Sequence, residues 1–288
     1  MASRKEQKEA ARRAREQAVA QMKAQQSRRN RLMMLGGMVA VVIAAVVVVI
    51  VVSSSGGGSL KALTQKGLGS QKVDGAAYSP KQAVANVDSL LAGIPQHGNV
   101  LGDPNAPVTV TVYLDFVCST CDYYSLTSEP QLIAADVRTG KVKLVYRADD
   151  TASGNANQSV WQTNQTAALS AGLQNKAWYY ILLNYDEQPT TINGKDAELV
   201  AYVDSAYMQN RAEQIRGLNL LKWQANLTNP TLTGEVKADL SAAQTQAPRG
   251  TPTIIVSGTK GSVTYDANGK ESAVPTLAQL AALIAQVS

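Results

Sequence analysis

Two cysteines, Cys118 and Cys121, stand at the end of the most regular stretch of the chain, and they constrain its fold more than any other feature. Just upstream, Val108, Val110, Val112, Leu114 and Phe116 alternate with Thr109, Thr111, Tyr113 and Asp115. A period of two predicts a β-strand. Downstream, residues 122–137 read as a helix that Pro130 bends. The pair therefore sits where a strand hands over to a helix. No other cysteine exists, so any disulfide within the chain must join these two.

The flanking segments extend the pattern. Through SPKQAVANVDSLLAG, Ala83, Val84, Val87, Leu90 and Leu91 recur at helical spacing, with Ser79 as N-cap, Pro80 in the first turn and Gly93 and Pro95 as the stop. Lys141–Tyr146 reads as a second strand. From Asn164 to about Gln246 the pattern is mostly helical. AALSAGLQNKAWYYILLNY reads as one helix, and ELVAYVDSAY, IRGLNLLKWQANL and EVKADLSAAQTQ as shorter ones, punctuated by Pro189, Gly194 and Pro230. After Thr251-Pro252, TIIVSG and Ser262–Tyr265 read as strands, 267–269 as a turn, and TLAQLAALIAQVS as a closing helix capped by Thr276. The expectation is a three-layer α/β domain over 79–288 with a helical insertion at about 150–247.

The N-terminal part is of another kind. Residues 1–31 carry ten Lys/Arg and three Asp/Glu, a net of +7, while the rest of the chain nets −2. The overall charge of +5 thus belongs to this tail and says little about the folded part. Leu32–Val52 is a run of 21 residues without a charged side chain. As a helix it would be about 31 Å long, which matches a hydrocarbon core of about 30 Å. A cleaved signal peptide is the competing reading. The long basic region, the length of the apolar run and the lack of an A-x-A site oppose it. With arginines 28, 29 and 31 on its N-terminal side, the positive-inside rule puts the N-terminus in the cytoplasm and residues 60–288 outside. Residues 53–78, opening with SSSGGGS, read as a flexible linker and stalk.

A Cys-x-x-Cys at a helix start favours thiol chemistry. Unpaired N–H groups and the helix dipole stabilise an anion there and lower the first thiol's pKa. The thiolate attacks in disulfide exchange, so Cys118 is the candidate nucleophile and Cys121, one turn on, the resolving thiol. Zinc would need two further ligands, and His97 is the lone histidine, so no metal site is expected. A purely structural disulfide closing so short a loop would be a poor staple. Asp115, close before the pair, is a candidate proton carrier, with a solvated or capping aspartate as the alternative. Tyr123 and Tyr124 line a substrate surface or the core. Trp161, Trp178 and Trp223 read as packing residues of the insertion. No phosphate loop or nucleic-acid motif is present.

LGDPNAPVTVTVYLDFVCSTC and the later RGTPTIIVSG together resemble the DsbA-like thioredoxin domain in its membrane-anchored bacterial form, over about residues 93–287. The resemblance implies a thioredoxin fold with a helical insertion, preceded here by one transmembrane helix. It implies a protein thiol:disulfide oxidoreductase whose only redox group is a Cys118–Cys121 disulfide, with no cofactor. It also implies a cis Pro252 facing that disulfide, with the Thr251 backbone open to a substrate strand. Expected partners are exported proteins with thiols, a membrane redox partner and the lipid bilayer, with no nucleic acid. The chain departs from the family pattern at Ser119 and Thr120, where the family has Pro and often His or Tyr, and at Val112, where thioredoxin-like proteins often carry a buried acid. Hydroxyl and backbone donors must then support the thiolate, which implies a less oxidising couple than the strongest family members. The favoured direction is donation of disulfides to exported proteins. The alternatives are a reductant for exported thiols, as in cytochrome c maturation, and a non-catalytic tethered binding module.

Overall fold

The computed structural model describes residues 73–265 and 274–288. The expected tail (1–31), transmembrane helix (32–52), most of the linker and the turn at 267–269 lie outside the described residues. Among the described residues no helix is long and apolar enough to cross a membrane.

The alternating run forms β4 (Val108–Leu114), and Val108, Val110 and Val112 of its inner face are at most 1% exposed. Strand β4 runs parallel to β5 (Val142–Ala148) and antiparallel to β8 (Thr253–Gly258), with Val110 between Leu144 and Val256. Two short strands, β2 (Gln96–His97) and β3 (Val100–Leu101), extend the sheet past β5, and β9 (Gly261–Thr264) closes the other edge. The order β2-β3-β5-β4-β8-β9 makes a six-stranded mixed sheet. The sequence reading missed β2 and β3, because two-residue strands show no periodicity.

Helix α1 (Pro80–Leu91) buries Ala83, Val87 and Leu91, and the side-chain oxygen of Gln82 accepts hydrogen bonds from the Ser79 N–H and hydroxyl. Helix α2 (Ser119–Leu132) follows the cysteine pair and passes into a π-helical turn, Ile133–Val137, just after Pro130. Pro130 has no N–H to donate, so the ladder is already broken there. The chain closes in α9 (Leu277–Val287), capped by Thr276 and Gln279. It packs on β8 and α2.

Between β5 and β8 lie α3 (Ala152–Asn155), α4 (Trp161–Gly172), α5 (Ala177–Asp186), α6 (Ser205–Glu213), α7 (Leu220–Ala225) and α8 (Pro230–Gln246). Three expectations are corrected here. The long helix over 167–185 is two, broken at Asn175, whose φ of 57° no helix accepts. ELVAYVDSAY is not one helix. A 3-10 turn, Ala197–Leu199, is followed by extended chain until Asp204 caps α6. In IRGLNLLKWQANL, Gly217 at φ 77° delays the helix to Leu220.

The insertion also holds a hairpin, β6 (Thr191–Ile192) and β7 (Lys195–Asp196), turned by Asn193 and Gly194 at φ 51° and 77°. Both central residues at positive φ is the Asn-Gly turn that suits strand twist. Residues 73 and 74, expected as loose stalk, form β1 (Val73–Asp74) and pair with β6.

An aromatic cluster joins the insertion to the sheet. Phe116 stacks on Tyr146 at 5.6 Å between ring centres and meets Tyr180 and Tyr185 edge-on at 6.0 and 5.8 Å. Trp178 and Trp223 are buried in the insertion, their indole N–H groups donating to the Asn99 and Ala167 carbonyls.

Candidate thiol active site

Strand β4 ends at Leu114 and α2 begins at Ser119, so four residues make the turn between them. Asp115 organises that turn. It is fully buried, not solvated, and its carboxylate accepts from the N–H groups of Val117 (3.1 Å), Thr151 (2.8 Å) and Ser153 (2.8 Å) and from the Ser153 hydroxyl (2.6 Å). Its own carbonyl accepts from Cys118 N–H at 3.0 Å and Tyr185 O–H at 3.1 Å. Asn184 donates to the Phe116 carbonyl at 2.9 Å. The turn is thus held from α5 and from the chain entering α3. A buried carboxylate is stable only with such a set of donors.

This scaffold fixes Cys118 as the N-cap of α2, in extended conformation at φ −75° and ψ 122°. Its sulfur accepts from the Cys121 N–H at 3.4 Å. The S–H of Cys118 points to the Thr251 carbonyl at 3.5 Å. The Thr251–Pro252 peptide bond is cis. Cys118 is 6% exposed and Cys121 not at all, and both are reduced here. Three of the residues singled out in sequence, Cys118, Cys121 and Thr251, therefore meet at one point, with Pro252 next to them.

The two thiols differ in acidity. The Cys118 pKa is lowered, first by a hydrogen bond from the Cys121 side chain, then by the Thr251 side chain and the Cys121 N–H. Burial and the charge of Glu198 oppose the shift. Burial pushes the Cys121 thiol well above its usual range, and the Cys118 charge adds to this. Thiolate character therefore concentrates on Cys118.

Ser119 is exposed and Thr120 half-buried. The donors that lower the Cys118 pKa come from Cys121 and Thr251, not from these two hydroxyls. Thr251 is itself positioned, since its hydroxyl lies 2.6 Å from that of Thr151, whose N–H is bound to Asp115. Tyr124 is fully buried, while Tyr123 is half-buried.

Sequence reasoning missed Thr151, Ser153, Tyr185 and Glu198. Each reaches the site from a distant segment, and nothing local in the sequence marks it. Glu198 is the most distant, its carboxylate accepting the Ser119 N–H at 2.5 Å across 79 residues. Among the described residues no group of three His, Cys, Asp or Glu is placed to hold a metal ion.

No curated protein matches the chain by sequence. Solved structures of similar fold include the following two. BdbD from Bacillus subtilis, in its oxidised form, is 18% identical with a TM-score of 0.50, covering 68% of this chain and 96% of its own. The thiol-disulfide exchange protein alpha-DsbA2 from Wolbachia pipientis is 14% identical with a TM-score of 0.50, covering 73% and 96%. A family model described as Thioredoxin matches residues 96–272, a span that runs from β2 past β9 and takes in both cysteines, Thr251 and Pro252. That is more than half of the 288 residues, and the chain belongs to the thioredoxin family.

Proposed function

We propose that this protein is a thiol:disulfide oxidoreductase that donates its Cys118–Cys121 disulfide to proteins outside the cytoplasm. The observation that carries the reading is the placement of two reduced cysteines one turn apart at the start of α2. The Cys118 sulfur accepts the Cys121 N–H at 3.4 Å and lies 3.5 Å from the Thr251 carbonyl, and the opposed acidity of the two thiols follows from this placement. A substrate thiolate attacks the Cys118 sulfur of the disulfide. The bond to Cys121 breaks, and Cys121 leaves as a thiolate that takes up a proton, as its raised pKa demands. A second substrate thiolate then attacks the substrate sulfur of the mixed disulfide. Cys118 departs as the thiolate its surroundings stabilise, and the substrate has lost two electrons. Reoxidation needs a separate disulfide-supplying partner, which we place in the membrane. The Thr251 backbone, beside Cys118, is the contact we assign to the substrate chain.

The test is a pair of variants assayed on a reduced, unfolded dithiol protein. Cys118→Ser is expected to abolish oxidation of the substrate. Cys121→Ser, offered the same substrate in its disulfide form, is expected to accumulate a covalent Cys118–substrate adduct on non-reducing gels. The Cys118 thiolate attacks the substrate disulfide and displaces one substrate thiolate, and no Cys121 remains to resolve the bond. Full activity in Cys118→Ser would sink the proposal.

The uncharged run Leu32–Val52 and the basic tail before it support a single-pass anchor with the folded domain on the extracytoplasmic side. Carbonate extraction of membranes checks this. The full chain should stay in the pellet and a chain lacking residues 1–52 should be released. Release of both would rule the anchor out.

A further inference from the structure

The Glu198 carboxylate reaches the backbone at the start of α2, and it does so from the 3-10 turn that follows the hairpin rather than from α2 itself. The first N–H groups of a helix lack partners within it and form its positive end. In α2 the Cys118 sulfur takes the Cys121 N–H, and Glu198 takes that of Ser119, the first residue of the helix. We propose that Glu198 is a positioning residue that covers the start of α2 and holds down the thiolate character of Cys118, making the couple less oxidising than the helix start alone would set it.

The carboxylate does not drift there on a loose loop. Ile192 and Ala197, on either side of the hairpin end, are 1% and 2% exposed. Strand β1 pairs along β6, the Ala197 N–H donates to the Thr190 carbonyl at 3.1 Å, and the Asp196 carboxylate accepts the Glu198 N–H at 3.1 Å. On the far side, Gln158 binds the Val200 carbonyl at 2.8 Å and the Val203 N–H at 3.3 Å. Glu198 projects from the arch between these ties. None of the ion pairs among the described residues includes it.

Besides Glu198, the titratable group that acts on Cys118 is Cys121, and the Cys118 charge in turn acts on Asp122 of α2 and Tyr185 of α5. Burial and the charge of Asp186 keep the proton on Asp122 well above the usual carboxylate range, and burial does the same for the Tyr185 hydroxyl. Thr251, from the β8 side, is neutral. Glu198 is therefore the half-buried carboxylate whose charge stands against the Cys118 thiolate. A stabilised thiolate is a stabilised reduced form, and that makes a strong oxidant. A carboxylate at this position works in the opposite sense.

The consequence for the couple rests on the exchange reading above, but the acidity of Cys118 can be measured without it. The experiment is the pH profile of Cys118 alkylation by iodoacetamide in the reduced full-length chain, read by mass spectrometry. It compares wild type with Glu198→Gln, which keeps an acceptor for Ser119, and with Glu198→Ala. Both variants should move the midpoint down by about one pH unit, the scale of one nearby like charge. The difference should shrink at 1 M salt, where screening reaches about 3 Å. Midpoints equal to wild type, or higher, would overturn the proposal, whatever the variants do to thermal stability. Alkylation reports on the thiol even in a chain that never forms a disulfide. A wild type inactive in exchange but with shifted variant midpoints would therefore overturn the exchange reading and keep this one.

Discussion

At the start of α2, two chemically identical side chains three residues apart are pushed in opposite directions. Cys118 gains donors and Cys121 loses water. The same loss of water acts on Glu129, two turns further along the helix. It is fully buried, one oxygen accepting from the Ser125 hydroxyl at 2.8 Å and the other without a partner. Burial pushes its pKa from 4.5 up to about 7. Because the folded value is the higher one, the unfolded chain releases this proton first as pH rises. The contribution to stability is whole below about pH 4.5, falls through the window between the two values and is lost above about pH 7. Glu129→Gln should therefore flatten the pH dependence and gain roughly 2–3 kcal/mol over wild type at pH 8, with little difference at pH 4.5. Asp186, also raised to about 7, keeps some slope in the variant. Urea unfolding at three pH values decides it, and an equal difference at all three would refute this account of Glu129. At this scale the cysteine pair was legible because it is a local pattern, while Thr251-Pro252 was singled out only through the family resemblance. Glu129 was not legible, since its burial depends on the packing of the finished fold and no motif announces it.

Elements with a strict period or clear end signals were read with near-correct limits. Strand β4, α1 and α9 show the period, and β8 is a short apolar run read from its composition, with Pro252 before it and Gly258 at its end. The insertion resisted, for a physical reason. Helices α4 and α5 are buried on almost every side, so their apolar residues form no stripe whose phase would show the break at Asn175. The extended stretch before α6 likewise passes for helix by composition. What joins these elements is partly polar. Arg211 of α6 forms an ion pair with Glu187, at the end of α5, at 3.0 Å, with 7% and 6% of the side chains exposed, and it lies over the Tyr207 ring at 4.4 Å. Removing one partner of a buried pair leaves the other charge without compensation. Arg211→Ala should cost about 3–5 kcal/mol. A double change to Arg211→Met with Glu187→Leu should cost much less. Chemical denaturation of both variants tests this, and a cost below about 1 kcal/mol for Arg211→Ala would show that the pair is not a joint of the insertion.

On the scale of the whole chain, the sheet supplies a rigid end on which α2 starts, and the insertion brings what the sheet lacks. Tyr185 and Asn184 of α5 fasten the β4–α2 turn, Thr151 sets Thr251, and Glu198 closes the helix start. Strand β1 pairs with the hairpin that leads into the turn carrying Glu198. The sequence showed that a helical insertion exists, but not that part of it returns to the active site. Such a return is a long-range contact with no local signal. The balance of these inputs sets the potential of the couple. A lowered Cys118 pKa favours an oxidant, while Glu198 and the absence of an imidazole beside the thiol hold it back.

The most direct test of the central claim is the reduction potential of the Cys118–Cys121 pair, obtained by equilibrating the full-length chain with glutathione and counting free thiols by mass tag. The expected result is a reversible two-electron couple between roughly −130 and −230 mV, below the strongest oxidants of about −120 mV and above thioredoxin at about −270 mV. A couple at or below about −270 mV would contradict disulfide donation and make the protein a reductant, and a pair that never closes into a disulfide would contradict thiol–disulfide exchange altogether.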